Sequence, residues 1–223
     1  MFQLINDILT QFREKFKREK TWRWFVCIVL GFIIRGEHRG VTSTITGLRL
    51  KPRLYNTLLH FFRSSAYKLK EIYVKWLKIV IAYAPLFHIS NRLVLLGDHI
   101  KIGKEGLRMP CIYKHHQDSQ NSCKAEYIEG HNFGQISAVI TNGGTSRAIG
   151  LMSEIQESST KTGGESLVVQ MVNQGGEVAH ALKKPAILVL DAYLIDWREL
   201  HVNATRYTFA TRAAGKLLRQ LMV

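Results

Sequence analysis

The sequence predicts a two-part α+β / α/β chain: an all-α amino-terminal domain over residues 1–88, then a mixed-sheet domain over 89–223. Three observations carry this. Apolar residues recur at three-to-four spacing through the first third, the period of an amphipathic helix. Two short apolar runs, Leu93-Val94-Leu95-Leu96-Gly97 and Ala186-Ile187-Leu188-Val189-Leu190, have the length and branching of strands buried on both faces. Charge is unevenly spread: the chain of 223 residues carries +14, from 31 Lys/Arg against 17 Asp/Glu. Residues 1–90 hold 16 Lys/Arg and 5 Asp/Glu, a net of +11, and the remainder 15 and 12, a net of +3. A hydrophobic share of 46% supports a packed core and argues against disorder.

Residues 1–20 read as a first helix, with Phe2, Leu4, Ile5, Ile8, Leu9, Phe12 and Phe16 as its stripe and Arg13, Lys15, Lys17, Arg18 and Lys20 crowding its end. Residues 22–34 read as a second, buried core helix. Its apolar run Phe25–Ile34 is ten residues long, closed by Arg23 and Arg35, where a membrane span needs about 20. Segment 40–63 reads as a short helix, a turn at Gly47, and another helix starting near Pro52, a residue favoured in a first helical turn. Its Leu54, Leu58, Leu59, Phe61 and Phe62 would point inward, leaving Arg49, Lys51, Arg53, His60 and Arg63 outside. The layout is helix-turn-helix-like, although many helical hairpins share it. A further helix spans 67–84, closed by Pro85. Trp22, Trp24 and Trp76 sit in helical, apolar surroundings and read as core.

In the second part, residues 92–102 predict a strand leading into a turn rich in Lys and Gly (Lys101, Gly103, Lys104, Gly106). Residues 107–126 are polar and read as loop, with Glu126 and Glu129 as surface charges. Strands follow at Gln135–Thr141 and Ala148–Ser153, joined by the turn formers Asn142-Gly143-Gly144. A helix over 164–182 leads through Lys183-Lys184-Pro185 into the second apolar run, and Ala213–Met222 reads as a closing helix. Three strands, a helix and a fourth strand are what a ribonuclease-H-like core needs.

Each apolar run is followed by an aspartate, Asp98 or Asp191. Taken singly, such a residue is often a turn former or a helix N-cap. As a pair on neighbouring strands, two carboxylates could hold magnesium, a hard cation that prefers oxygen. Cys111, His115, His116, Cys123 and His131 offer zinc-type donors, but in no tight paired spacing. Thr162-Gly163-Gly164 is followed by no P-loop lysine and reads as a helix start. Cys27, Cys111 and Cys123 are too scattered for a disulfide framework, which suggests a reducing, intracellular setting. The start of the chain lacks the basic n-region of a signal peptide.

The stretch Gly97-Asp98-His99-Ile100-Lys101-Ile102-Gly103-Lys104-Glu105-Gly106 resembles insertion-sequence DDE transposases. There the first catalytic aspartate ends strand one and a Lys/Gly-rich turn follows. Leu188-Val189-Leu190-Asp191-Ala192-Tyr193 is similar to the family's strand carrying the second aspartate, and Thr211-Arg212-Ala213 to the strand after it. Val41–Ile45 with His60–Ser65 is similar to the helical DNA-binding region before that core. The resemblance implies an incomplete ribonuclease-H-like domain, with Asp98 and Asp191 as catalytic, metal-holding carboxylates for Mg2+ or Mn2+. It implies metal-dependent DNA strand cleavage and transfer, duplex DNA at transposon ends as partner, association with another copy or with full-length transposase, and a bacterial, cytoplasmic, nucleoid-associated setting with no membrane. Arg49, Lys51, Arg53, Arg63, Lys101 and Lys104 are the expected DNA contacts.

The family's third carboxylate is a glutamate on a helix well downstream of the second aspartate. After Asp191 this chain offers only Asp196 and Glu199. The expectation is a truncated or frameshifted copy, inactive by itself. The alternatives are a non-catalytic DNA-binding remnant that competes with full-length transposase, or a basic protein binding RNA or a membrane surface.

Overall fold

The computed structural model describes residues 2–34, 40–104, 109–116, 126–157, 165–190 and, for the backbone, 208–210. The chain divides into two compact units, Met1–Ile79 and Val80–Val223. Both helices and a sheet are present, so the protein is of mixed α and β class.

The first unit is helical: α1 (Phe2–Gln11), a 3-10 turn (Arg13–Lys15), α2 (Glu19–Ile34), α3 (Val41–Gly47), a second 3-10 turn (Pro52–Leu54) running into α4 (Tyr55–Phe62), and most of α5 (Leu69–Tyr83). The single helix expected over residues 1–20 is broken after Gln11. Continuing it would stack five cations on little more than two turns, where like charges repel. Instead the chain bends, and Phe12 and Phe16 both enter the core. The bend is held by Arg13, which donates to the Phe16 carbonyl at 2.7 Å and to Glu19 at 3.0 Å. Glu19 opens α2, where a carboxylate suits the helix dipole, and also accepts from Arg23 at 3.0 Å.

Phe12, Phe16, Ile28, Ile45, Leu58, Phe61 and Ile79 form the core, with Trp22, Trp24 and Trp76 packed against it. Gly31 lets α2 approach α3: a Cβ there would run into the Thr44 methyl and lie 3.2 Å from Leu48 Cδ1. The expectation of a buried core helix holds at Ile28 and Gly31 but not at the end of α2, where Phe32, Ile33 and Ile34 are exposed. Their side chains run on past Ile28 and Gly31, the helix's buried contacts. Among the described residues, no helix is long and apolar enough to cross a membrane.

The second unit is a sheet with one helix. Its strands are β1 (His88–Ile89), β2 (Arg92–Gly103), β3 (Tyr113–His116), β4 (Tyr127–Asn142), β5 (Thr145–Gln156), β6 (Ala186–Leu190) and β7 (Thr208–Ala210). The order is β3-β4-β2-β6-β7, with β1 also on β2 and β5 also on β4. The β1–β2, β2–β4, β3–β4 and β4–β5 pairs are antiparallel, whereas β2–β6 and β6–β7 are parallel. The β4–β5 hairpin turns on Gly143 and Gly144, both at positive φ, as a tight two-residue loop requires. β3 falls inside the stretch expected to be loop. Its four residues, Tyr113-Lys114-His115-His116, are too short and polar to signal a strand, and pairing with β4 makes them one.

A parallel neighbour needs a crossover. Here it contains α6 (Leu167–Leu182), capped by Ser166, whose hydroxyl accepts from the Val169 N–H. A Cβ on Gly175 would meet Leu188 of β6, and one on Gly97 would meet Met171 of α6 and Leu190 of β6. The helix therefore lies on the sheet face that carries Gly97, Leu188 and Leu190. Leu93, Leu95, Ile136, Met171, Val178, Leu188 and Leu190 are among the buried side chains. The closing helix expected at 213–222 and the Thr211-Arg212-Ala213 motif lie outside the described residues.

Candidate functional site

Asp98 lies in the middle of β2. The expectation that it ends the strand is corrected: β2 runs on to Gly103, paired with β4 as far as Gly103↔Gly130. The Lys/Gly-rich stretch read as a turn is strand through Gly103, because β4 supplies it with backbone partners. Asp98 does mark a boundary of another kind. The parallel ladder between β2 and β6 closes at Gly97↔Leu190 among the described residues. Asp98 and Asp191 are the residues that follow those two in sequence. Asp191 itself lies outside the described residues, as do Asp196 and Glu199.

Successive strand residues alternate between faces. Gly97 and His99 face α6, and Asp98 takes the opposite face with Gln135, its partner on β4, and Ser153, the partner of Gln135 on β5. Asp98 is exposed, and its Oδ1 accepts the His99 N–H at 2.7 Å. Among the described residues it forms no ion pair. The next rank on this face is apolar: Ile100 pairs with Phe133, and Phe133 with Ile155. Ile100 and Ile155 are exposed.

Beneath Asp98, on the α6 side, runs a buried polar chain that the sequence did not reveal. His99 Nε2 hydrogen-bonds Gln156 Oε1. Gln156 donates to Gln174 Oε1 at 3.3 Å, and Gln174 donates to the Gly134 carbonyl at 3.1 Å. Gly134 is required there, since a Cβ would strike the Gln156 amide and lie 3.0 Å from Gln174 Oε1. Asn132, in register with Lys101 and Gln156, is fully buried, and its side-chain amide meets no partner among the described residues. The partners are 57 and 18 residues apart in sequence. Only the adjacency of His99 to Asp98 was a visible signal.

Burial pushes the His99 pKa below its ordinary value, with Lys101 adding to that. The bond to Gln156 and the nearby Asp98 charge act in the other direction. His115 is lowered mainly by burial as well. A histidine kept neutral in the fold is protonated first in the unfolded chain, at about pH 6.5. These two groups therefore stabilise the fold fully above that value, and the contribution is lost as pH falls below it. Urea unfolding from about pH 7.5 to about pH 5.5 should show the wild-type midpoint falling further than that of His99→Gln/His115→Gln. Parallel curves would assign the acid loss to other groups.

The expected DNA contacts divide between the units. Arg49, Lys51, Arg53 and Arg63 are exposed on the first unit, around the link from α3 to α4 and at the end of α4. Arg49 takes a left-handed conformation, φ 50. The link from Leu48 to Leu54 contains a 3-10 turn and is longer than the three- or four-residue turn usual in a helix-turn-helix. On the second unit Lys104 is exposed, whereas Lys101 is half-buried and donates to the His116 carbonyl at 2.6 Å.

The zinc-type residues do not gather. His115 Nε2 donates to the Gly130 carbonyl at 3.1 Å and His131 Nε2 to the Pro110 carbonyl at 2.9 Å. The Cys111 thiol donates to Glu157, whose carboxylate pushes the thiol pKa up. Cys123 lies outside the described residues. Among the described residues, no three His, Cys, Asp or Glu side chains are placed to hold a metal ion together. No family model, curated protein or solved structure matches the chain.

Proposed function

We propose that the chain binds duplex DNA through its basic helical unit and that its sheet unit is a ribonuclease-H-like frame for metal-dependent strand cleavage and transfer, as in an insertion-sequence DDE transposase. One observation carries the reading. The parallel register sets Leu190 beside Gly97, so the two strands that lead to Asp98 and Asp191 run side by side in the same direction. The series β2, β4, β5, α6, β6 also supplies the three strands, helix and fourth strand that such a core needs. Asp98 offers carboxylate oxygen on an exposed position, the donor that Mg2+ or Mn2+ prefers. Asp98 and Asp191 would hold the ion, which supplies charge stabilisation and an activated nucleophile at phosphorus.

A second reading is a non-catalytic DNA-binding protein. It is favoured by the net charge of +11 on residues 1–90, which attracts a polyanion without any carboxylate chemistry. Supercoiled-plasmid nicking with Mn2+ separates the two. Nicking that Asp98→Ala and Asp191→Ala both abolish supports cleavage; DNA binding with neither nicking nor Mn2+ binding that depends on Asp98 supports the second reading.

The DNA-binding half has its own test. Each phosphate contact contributes about 0.9 to the slope of log affinity against log salt. Arg49→Gln/Lys51→Gln/Arg53→Gln should weaken duplex binding and flatten that slope by up to about 3. An unchanged slope moves the DNA-contacting surface elsewhere.

A further inference from the structure

The first unit contains a groove of about 450 Å³ that the preceding reading does not use. Arg18, just before α2, and Lys20 and Trp24 of α2 line it on one side, and Asn56, His60 and Ser64 line it from α4 and the residues after it. No lining residue is a carboxylate. The acid between the two cations, Glu19, is already held by Arg13 and Arg23, each at 3.0 Å. Arg18, Lys20 and His60 are exposed and form no ion pair among the described residues. Trp24 is half-buried, packed against the core while also lining the groove.

We propose that this groove seats an unpaired stretch of nucleic acid, with a backbone phosphate among Arg18, Lys20 and His60 and a base against Trp24. The volume is in the range of pockets that enclose small organic ligands. Cations without acids select a phosphate, and the net charge of residues 1–90 favours a polyanion over a lone anion. An aromatic floor with Asn56 and Ser64 nearby suits a base, which has a π-face and hydrogen-bonding edges. A duplex keeps its bases stacked inside and presents phosphates to a surface, so it would leave Trp24 unused. The residues differ from Arg49, Lys51, Arg53 and Arg63, and the inference stands whether or not the sheet unit cleaves DNA.

The test is fluorescence anisotropy on the full chain with a labelled oligothymidylate of about 12 nucleotides and a duplex of equal length. Arg18→Gln/Lys20→Gln/His60→Gln is expected to lower single-strand affinity at least about tenfold, whereas Arg49→Gln/Lys51→Gln/Arg53→Gln changes it by less than about twofold. Trp24→Leu should also weaken single-strand binding, with Trp24→Phe retaining most of it. Because Trp24 also packs on the core, photocrosslinking of an iodouracil-substituted oligonucleotide to the unaltered chain provides the independent measurement, and Trp24 should carry the adduct. The proposal is overturned by unchanged affinity in the Arg18/Lys20/His60 variant, by an adduct confined to other residues, or by inorganic phosphate competing as well as oligothymidylate.

Discussion

Manganese binding by the intact chain is expected to fall at least about tenfold in Asp98→Ala, and by a similar factor in Asp191→Ala. Loss of a residue that merely orients a metal ligand already costs about 10–100-fold in affinity, so loss of a ligand should cost no less. The two effects should also be non-additive. If both carboxylates hold the same ions, the double variant binds little more weakly than either single one, because the site is already lost. Asp98→Asn tests charge against shape: it keeps an oxygen donor but removes the charge, and should sit near Asp98→Ala. Electron paramagnetic resonance of free Mn2+ during a titration reads all five proteins. Wild-type affinity in either single variant would remove that aspartate from the site. Two additive losses would place the aspartates at separate sites.

Gly130→Ala is expected to be the most damaging single-methyl substitution in the sheet unit. Gly130 lies between two strands, opposite Gly103 on β2 and Tyr113 on β3. A Cβ there would press on the Ile102 carbonyl oxygen and lie 2.8 Å from its carbon and 2.9 Å from Gly103 Cα. All three are backbone atoms in a paired ladder, so no side chain can swing away. Overpacking of this kind typically costs about 1–3 kcal/mol, and a rigid backbone contact belongs at the upper end. Gly103→Ala is the control, since its Cβ would meet only the Glu129 carbonyl at 3.9 Å, an ordinary contact. Urea denaturation should therefore separate the two variants by roughly 2 kcal/mol or more. Equal midpoints would mean that β2 and β4 part easily at this end.

Much of the architecture was legible because it depends on local chemistry. The apolar runs at 93–97 and 186–190 are strands because Val, Ile and Leu in short continuous runs suit burial on both sheet faces. Asn142-Gly143-Gly144 is a hairpin turn because the glycines carry the positive φ it needs. Ser166 and Pro52 mark helix starts by capping and fixed φ. The basic bias of the first part follows from counting. What tertiary structure alone decided was pairing and company. β2 continues past Asp98 because β4 reaches it, and Tyr113–His116 is a strand because β4 is beside it. The helix expected over residues 1–20 breaks after Gln11, where Arg13 reaches forward to the Phe16 carbonyl and to Glu19 at the start of α2. His99, Gln156 and Gln174 form a chain, and Arg18, Lys20 and His60 a groove, through folding that brings distant positions together. Residue type and local spacing set backbone preference; which side chains meet depends on burial summed over the whole core, which no window of sequence contains.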